Sequence, residues 1–188
     1  TGLPFPFGRL PLMSLSSAVP SPTDAPTASP TTGVDVQSAT ASSTFSTASA
    51  SNAIDGNLET MWHSLNGLPQ WLQLTLSNNQ AVCGYAITAR TGGYSATDSA
   101  KAWLFEAWDG SSWNTVSIES EISWGDGETK TFTNPSTNAD MFRIYVTEVG
   151  GRSGGSQYFT VIRDFSMHSC PEDPTAPPTA TSSAAPTA

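Results

Sequence analysis

Residues 51–63 read Ser-Asn-Ala-Ile-Asp-Gly-Asn-Leu-Glu-Thr-Met-Trp-His, and this stretch indicates both the fold and a candidate ion site. Asp55, Asn57 and Thr60 offer side-chain oxygens close together, and Gly56 permits the positive φ of a tight turn. A loop whose oxygens converge in this way is what a calcium-type cation requires. The alternative interpretation is an Asp-Gly turn that holds no metal, since turns of this composition are common.

The same stretch resembles the opening segment of the discoidin family, the factor V/VIII type C domains, and of the related galactose-binding-like carbohydrate modules. That segment commonly reads Ala-x-Asp-Gly-(Asn/Asp)-x-x-Thr-x-Trp, and the matching positions here are Ala53, Asp55, Gly56, Asn57, Thr60 and Trp62. Later segments resemble the family in the same order, at residues 70–76, 82–90, 101–113, 142–146 and 161–168. The resemblance covers roughly residues 33–170.

The residue pattern from position 34 onward predicts an all-β domain without help from the resemblance. Residues 71–76 alternate Trp, Gln and Thr with Leu, which is the period of a strand with one buried face. Asp109-Gly110 lies between two strand-like runs and predicts a hairpin. No stretch shows sustained helical periodicity. We therefore predict an eight-stranded β-sandwich, which the resemblance implies is jelly-roll-like and galactose-binding-like.

The two ends of the chain differ from the middle. We predict an extended apolar docking segment at residues 1–15, a Pro/Thr/Ser-rich linker at 16–32, the discoidin-like sandwich at 33–170 and a Pro/Thr-rich tail at 171–188. Prolines exclude a helix in the first segment, so its apolar side chains suit docking on a neighbouring copy; they are Leu3, Phe5, Phe7, Leu10 and Leu12. The Pro/Thr tracts are either flexible linkers or O-glycosylated stalks, with candidate acceptors at Thr23, Thr27, Thr31, Thr175 and Thr179.

Composition excludes several classes of partner. The chain has 7 basic and 16 acidic residues, a net charge of −9, and no cluster of Lys or Arg. Recognition of nucleic acid and charge-driven binding to anionic membranes both need such clusters, and no apolar run approaches the length of a membrane span. An acidic chain rich in Ser, Thr and Pro is typical of secretion. We therefore expect an extracellular location and a disulfide between Cys83 and Cys170, rather than two buried thiols.

The resemblance also implies a ligand set for a structural calcium ion. Family members commonly supply an acidic side chain from the closing strand, preceded by a main-chain carbonyl, and the matching residues are Asp164 and Arg163. The other implied ligands are Asp55, Asn57, Thr60 and the carbonyl of Asn52, which gives enough oxygens for calcium. The family usually has Glu at the closing position, so the shorter Asp164 leaves the distance open. Sodium, or a hydrogen-bonded loop without metal, is the alternative.

Sugar binding in such modules uses loops at one end of the sandwich, where an aromatic ring stacks on the sugar and polar groups bind its hydroxyls. We predict Tyr94 and Trp124 as the rings and Arg90 and Arg152 as the polar partners. The alternative for each ring is partial burial without a ligand. The other tryptophans considered, Trp62, Trp71, Trp103 and Trp113, are interpreted as packing residues, and His63 and His168 as structural residues.

Catalysis has little support in the sequence. Residues 151–155 match Gly-x-Ser-x-Gly, but a nucleophile elbow leads into a helix, whereas residues 157–161 resemble a strand. We therefore predict a chain that is not an enzyme. One interpretation is an extracellular structural or adhesive module, a subunit of a glycosylated filament-like assembly whose partners are other copies of itself. The other is a soluble carbohydrate-binding module for galactose-type glycans, part of a larger secreted protein.

Overall fold

The computed structural model describes residues 33–152 and 156–170. The predicted docking residues and glycosylation sites lie outside these ranges, and so do the linker and the tail; these assignments stay predictions. Within the described ranges, no helix has the length and apolar character needed to cross a membrane.

The described chain contains eight β-strands and is mostly β, as the sequence pattern predicts, although several strands have other bounds than predicted. They are β1 (Val36–Ala41), β2 (Trp62–His63), β3 (Gln70–Thr88), β4 (Ala100–Trp108), β5 (Trp113–Glu119), β6 (Thr129–Val149), β7 (Val161–Ile162) and β8 (Asp164–Ser169). Helical structure in the described residues amounts to a 3₁₀ turn at Ala50–Ala53 and one α-helical turn, α1, at Ser95–Asp98. The prediction of an all-β sandwich is confirmed.

β3 and β6 are long because each passes through both layers of the sandwich. The larger sheet has the order β1-β3-β6-β4-β5, and β8 pairs with the second half of β3. The β3–β6 register is interrupted between Thr75 and Gln80, where the pair bends from one layer to the other. The sequence predicted separate strands on either side of this bend. The structure joins them because pairing resumes within a few residues.

The two ends of the sandwich carry different structures. At one end, which we call the loop end, Val149 of β6 pairs with Ala100 of β4, and the N–H of Arg90 donates to Ser99 Oγ at 3.3 Å. At the other, the hairpin end, lie the bend of β3 and β6 and the β4–β5 hairpin, where Trp108 pairs with Trp113. The hairpin predicted from Asp109-Gly110 is thus confirmed.

The core lies between the layers and is rich in aromatic side chains. Leu72, Leu74 and Leu76 point inward from β3, as their alternation predicts. Trp62 and Trp103 are fully buried, which confirms their interpretation as packing residues. Each buried indole N–H has an acceptor: Trp103 donates to Tyr85 Oη at 2.9 Å, and Trp62 to the carbonyl of Ser43 at 2.9 Å. Burial raises the pKa of Tyr85, so this phenol stays neutral.

Two links join the beginning and the end of the described domain. Gly33 forms an isolated antiparallel bridge with His168, and the N–H of Val34 donates to the carbonyl of Met167 at 3.1 Å. The predicted disulfide is confirmed: Cys83 of β3 is bonded to Cys170, which directly follows β8, and their Cα atoms are 4.8 Å apart. Both links lie towards the hairpin end of β8.

Candidate functional site

The candidate site begins with a buried carboxylate at the loop end. Asp98, at the end of α1, is completely buried and accepts hydrogen bonds from two arginines. Arg90 Nη1 lies 2.6 Å from Asp98 Oδ2, while Arg152 donates from Nε to Oδ1 at 3.0 Å and from Nη2 to Oδ2 at 2.6 Å. Thr97 Oγ1 adds a fourth hydrogen bond, to Oδ1 at 2.9 Å. Asp98 therefore fixes both guanidinium groups in position.

The charge state of Asp98 follows from these contacts. Burial opposes ionisation of its carboxyl, but the hydrogen bonds from Arg152 and Thr97 and the charges of Arg152 and Arg90 outweigh burial and hold the pKa of Asp98 below its ordinary value. The bonds to Asp98 also raise the pKa of Arg152. Two cations thus share one anion, and the cluster keeps a net positive charge.

An exposed aromatic ring lies against the two arginines. The guanidinium carbons of Arg90 and Arg152 are 4.7 and 4.5 Å from the centre of the Tyr94 ring, which is within cation–π range. Tyr94 is 42 % exposed, although both of its cationic neighbours are largely buried. The ring is therefore held in a defined position while much of it remains accessible to solvent.

The surface extends from Arg152 to a second aromatic group. The Arg152 guanidinium carbon is 5.0 Å from the centre of the Phe159 ring, and the His63 ring lies 5.0 Å from both Phe159 and Phe45. Phe45 is 50 % exposed. We call this set the aromatic–arginine surface; its members are Phe45, His63, Arg90, Tyr94, Arg152 and Phe159.

His63 contributes a neutral imidazole to this surface. Burial lowers its pKa, opposed by the hydrogen bond of Nδ1 with the Ser64 carbonyl at 2.8 Å, and the charges of Arg90 and Arg152 lower it further. With Nδ1 bonded to a carbonyl, Nδ1 carries the proton and Nε2 is an acceptor. The surface thus combines cationic donors, a neutral acceptor and exposed rings.

Glycines allow the loops of this site to approach one another. Gly92 and Gly93 both have positive φ, and their N–H groups donate to the carboxylate of Asp126 at 3.0 Å each, which fixes the turn that leads to Tyr94. A Cβ at Gly150 would lie 1.8 Å from the carbonyl oxygen of Ala96. This close approach brings the chain after β6 against α1, and with it Arg152 against Asp98.

The structure brings together three of the four predicted sugar-binding residues: Arg90, Tyr94 and Arg152. The prediction that Trp124 is a sugar-binding ring is wrong, because only 8 % of this residue is exposed. Its ring packs beside Trp103, with centroids 6.4 Å apart, and its indole N–H donates to the carbonyl of Ala100 at 2.6 Å. Trp124 lies in a loop, as predicted, but the loop folds over the core, so its ring is a packing element.

Sequence reasoning missed Asp98, Phe45 and Phe159, and it treated His63 as structural only. These residues lie far apart along the chain, and no local pattern joins them. The sequence did offer one indication of Asp98. Two arginines predicted to lie together in the loops need a nearby anion if they are partly buried.

The segment around Asp55 forms a closed loop, as the sequence indicates. Asp55 Oδ1 accepts the N–H of Asn57 at 2.8 Å, and Thr60 Oγ1 lies 2.8 Å from Asp55 Oδ2, while Gly56 has a φ of 70°. Thr60 Oγ1 also lies 3.3 Å from the carbonyl oxygen of Asn52. The amide oxygen of Asn57 accepts the N–H of Glu59 at 3.0 Å. Four predicted metal ligands thus belong to one small loop.

The other two predicted ligands are Asp164, the first residue of β8, and Arg163, which directly precedes it. Burial raises the pKa of Asp164, and the charge of Asp55 raises it further, so these two carboxylates lie close enough to repel each other. Within residues 33–152 and 156–170, no three His, Cys, Asp or Glu side chains converge on one point. A cation here would therefore depend on two carboxylates together with amide, hydroxyl and main-chain oxygens.

Comparison with solved structures finds carbohydrate-binding modules that are similar to this chain. A family 32 carbohydrate-binding module of Clostridium perfringens NanJ, solved in complex with galactose, is 28 % identical; the match has a TM-score of 0.58 and covers 70 % of this chain and 92 % of that one. A chitosan-binding module from a Paenibacillus sp. IK-5 chitosanase/glucanase is 25 % identical, with a TM-score of 0.56 and coverage of 72 % and 96 %.

A third similar structure is a Clostridium perfringens module in complex with GalNAc-β-1,3-galactose. It is 24 % identical with a TM-score of 0.57, covers 69 % of this chain and 93 % of its own, and supports the fold alone. The comparison with curated protein sequences gave no match. The model of the F5/8 type C domain matches residues 38–161, which is more than half of the chain, and the chain therefore belongs to the F5/8 type C domain family.

Proposed function

We propose that the chain is a carbohydrate-binding module and that the aromatic–arginine surface is its glycan site. The observation that carries the proposal is the Tyr94 ring, which is exposed yet held between two arginines that a buried carboxylate fixes in turn. A rigid ring at a solvent-facing loop is suited to the apolar face of a sugar. The galactose complex of the NanJ module supports a galactose-type ligand.

Each group would have a separate part in binding. A guanidinium has five N–H donors, and the bonds to Asp98 occupy one donor of Arg90 and two of Arg152. The remaining donors are available to sugar hydroxyls or to a ring carboxylate. His63 Nε2 would accept a hydroxyl proton, and Phe45 and Phe159 would contact a second sugar unit.

Replacing Tyr94 by Ala is expected to weaken galactose binding by about tenfold, because the stacking ring is lost. The Tyr94 side chain makes no capping hydrogen bond to α1, so the turn should persist. The measurement is an NMR titration of the full chain with galactose, supported by a glycan array. Ile118→Ala is the matched control, since Ile118 is 70 % exposed on β5 and pairs with Leu104 in the middle of β4. Equal affinities for Tyr94→Ala and the unaltered chain would refute the site.

We also propose that the loop at residues 52–60 and the start of β8 hold a structural calcium ion. The electrostatics of the residues present fit such an ion: a partly buried carboxylate, Asp164, lies near the carboxylate of Asp55, and a divalent cation would offset both. The oxygens of Asn57 and Thr60 and the carbonyls of Asn52 and Arg163 would complete the shell. The ion would tie this loop to β8.

Calcium at about 100 times its dissociation constant is expected to stabilise the domain by about 2.7 kcal/mol, and Asp164→Asn should abolish this response. In EDTA the same variant should be at least as stable as the unaltered chain, because it removes a desolvated charge and its repulsion with Asp55. Thermal unfolding with calcium and with EDTA is the measurement, with Asp140→Asn, on the exposed face of β6, as the control. If the unaltered chain unfolded at the same temperature with calcium and with EDTA, the proposed calcium site would be refuted.

The filament-like assembly is a second candidate, and it depends on the apolar residues 3–12 and the Pro/Thr tracts. We propose that residues 1–15 dock on a neighbouring copy outside the cell and that the assembly has no catalytic role. Removal of residues 1–15 is expected to leave the thermal unfolding of the sandwich unchanged and to leave the protein monomeric in sedimentation velocity. A truncated chain that assembles like the full chain would contradict this candidate.

A further inference from the structure

A second concave site lies at the hairpin end of the sandwich. It is a cavity of about 380 Å³ between the β4–β5 hairpin and the bend of β6, within the usual size range of small-ligand pockets. Its lining includes Trp108, Asn114, Thr115, Pro135, Thr137 and Asn138. We call it the hairpin cavity.

The hairpin cavity is separate from the aromatic–arginine surface. β4 begins at Ala100 beside Val149, at the loop end, and Ala107 pairs with Phe142 near the cavity. A strand advances about 3.3 Å per residue, so the two sites lie roughly 25 Å apart along β4. No residue belongs to both sites, and a ligand in one leaves the other open.

The polar groups available in the cavity are neutral. Asp109 is the charged residue in the lining, but its carboxylate is already occupied by the turn. Its Oδ1 accepts the N–H groups of Ser111 and Ser112 at 2.8 Å each, and its Oδ2 accepts Asn114 Nδ2 at 2.7 Å. In contrast, the structure gives the side chains of Thr115 and Asn138 no hydrogen bond to any described residue. These groups can donate to, and accept from, hydroxyls.

The aromatic wall of the cavity is held in place from behind. The ring centroid of Trp108 lies 5.4 Å from that of Trp113. Arg143 covers Trp113, with its guanidinium carbon 4.3 Å from the ring centre, and is bonded to Glu106 at 2.6 Å. These contacts hold the Trp108 ring in position. The indole N–H of Trp108 has no acceptor among the described residues and can donate to a ligand.

We propose that the hairpin cavity is a second carbohydrate site, which takes a neutral sugar stacked on Trp108 with its hydroxyls bonded to Thr115 and Asn138. A charged ligand is disfavoured because the available polar groups carry no charge, and an acidic sugar would meet a chain of net charge −9. Sites at both ends would allow one module to bridge two glycan chains. This inference goes beyond the proposed function and does not depend on the loop-end site.

The test is an NMR titration of the full isotope-labelled chain carrying Tyr94→Ala, so that binding at the loop end is impaired. The probes are galactose, glucose, mannose and N-acetylglucosamine, each added alone. We expect at least one sugar to shift the indole N–H signal of Trp108 and the side-chain amide signal of Asn138. Adding Trp108→Ala should abolish the Asn138 shift, and adding Thr115→Val, which removes a hydroxyl but keeps the shape, should weaken binding by about tenfold. Ile118→Ala is the control.

Unchanged Trp108 and Asn138 signals with all four sugars would overturn the proposal. The proposal would also be overturned if these signals did not respond to sugars but shifted when residues 171–188 were removed. The cavity would then hold the chain's own proline-rich end, which follows Cys170 in the sequence; Cys170 Sγ lies 3.1 Å from Ser136 Oγ. Intact signals from the rest of the domain would show that Trp108→Ala is folded. Failure of the loop-end site would appear separately, as absent shifts at Tyr94 in the unaltered chain.

Discussion

Asp98→Ala is expected to lower the free energy of unfolding by about 3 kcal/mol, the low end for a broken buried ion pair. The carboxylate is fully buried, and its loss leaves Arg90 and Arg152 without their shared anion. We expect a loss at the low end of the usual range because both arginines are partly exposed and can be partly hydrated once the carboxylate is gone. Galactose affinity should fall as well, since no other described residue accepts a hydrogen bond from either guanidinium group. Urea unfolding and the galactose titration measure the two effects.

The pH dependence separates this charge effect from a loss of packing. The pKa of Asp98 is lowered in the folded protein, so its stabilisation is present above the unfolded value of about 3.9 and is lost as pH falls through the folded value. The stability difference between the unaltered chain and Asp98→Asn, which keeps the side-chain volume, should therefore shrink in strong acid. Asp140→Ala, an exposed carboxylate on β6, is the control. A difference that is the same at every pH would contradict the ion-pair account.

Removing the Cys83–Cys170 disulfide is expected to cost about 2–5 kcal/mol of stability. The bond closes a loop with a sequence separation of 87, so it restricts the unfolded chain strongly. The variant carrying Ser at both positions should unfold at a lower urea concentration than the unaltered chain. A reducing agent should produce the same decrease in the unaltered chain and no change in the Ser variant. Coincident urea curves for the two proteins would show that the crosslink carries little of the stability.

The sequence predicted those parts of the fold that depend on neighbouring residues. The alternation in residues 71–76 indicated which face of β3 is buried, and Asp109-Gly110 located the hairpin. It also indicated the closed loop at Asp55, because Asx-type hydrogen bonds form within a few residues. The length of β3 could not be predicted, since the strands that pair with its second half, β6 and β8, are distant in sequence.

The site was predicted less completely because it depends on contacts between distant residues. Asp98 meets Arg152 across 54 positions, and no pattern near α1 indicates that its carboxylate is buried. Asp98 was missed, whereas Trp124 was wrongly included in the site. The glycines near Trp124 predict a loop, but its side chain packs on Trp103 and Phe132. Local composition can place a residue in a loop, whereas burial depends on what the loop packs against.

The pairing of Gly33 with His168 determines how this module can be attached to anything else. The backbone at Gly33 and at His168 is paired antiparallel, so the two Cα atoms lie about 5 Å apart. A partner protein fused beside Gly33 or beyond His168 would therefore be attached at one place on the described domain and not at opposite ends of it. That place lies towards the hairpin end, so the aromatic–arginine surface, at the opposite end of the sandwich, would stay accessible to solvent.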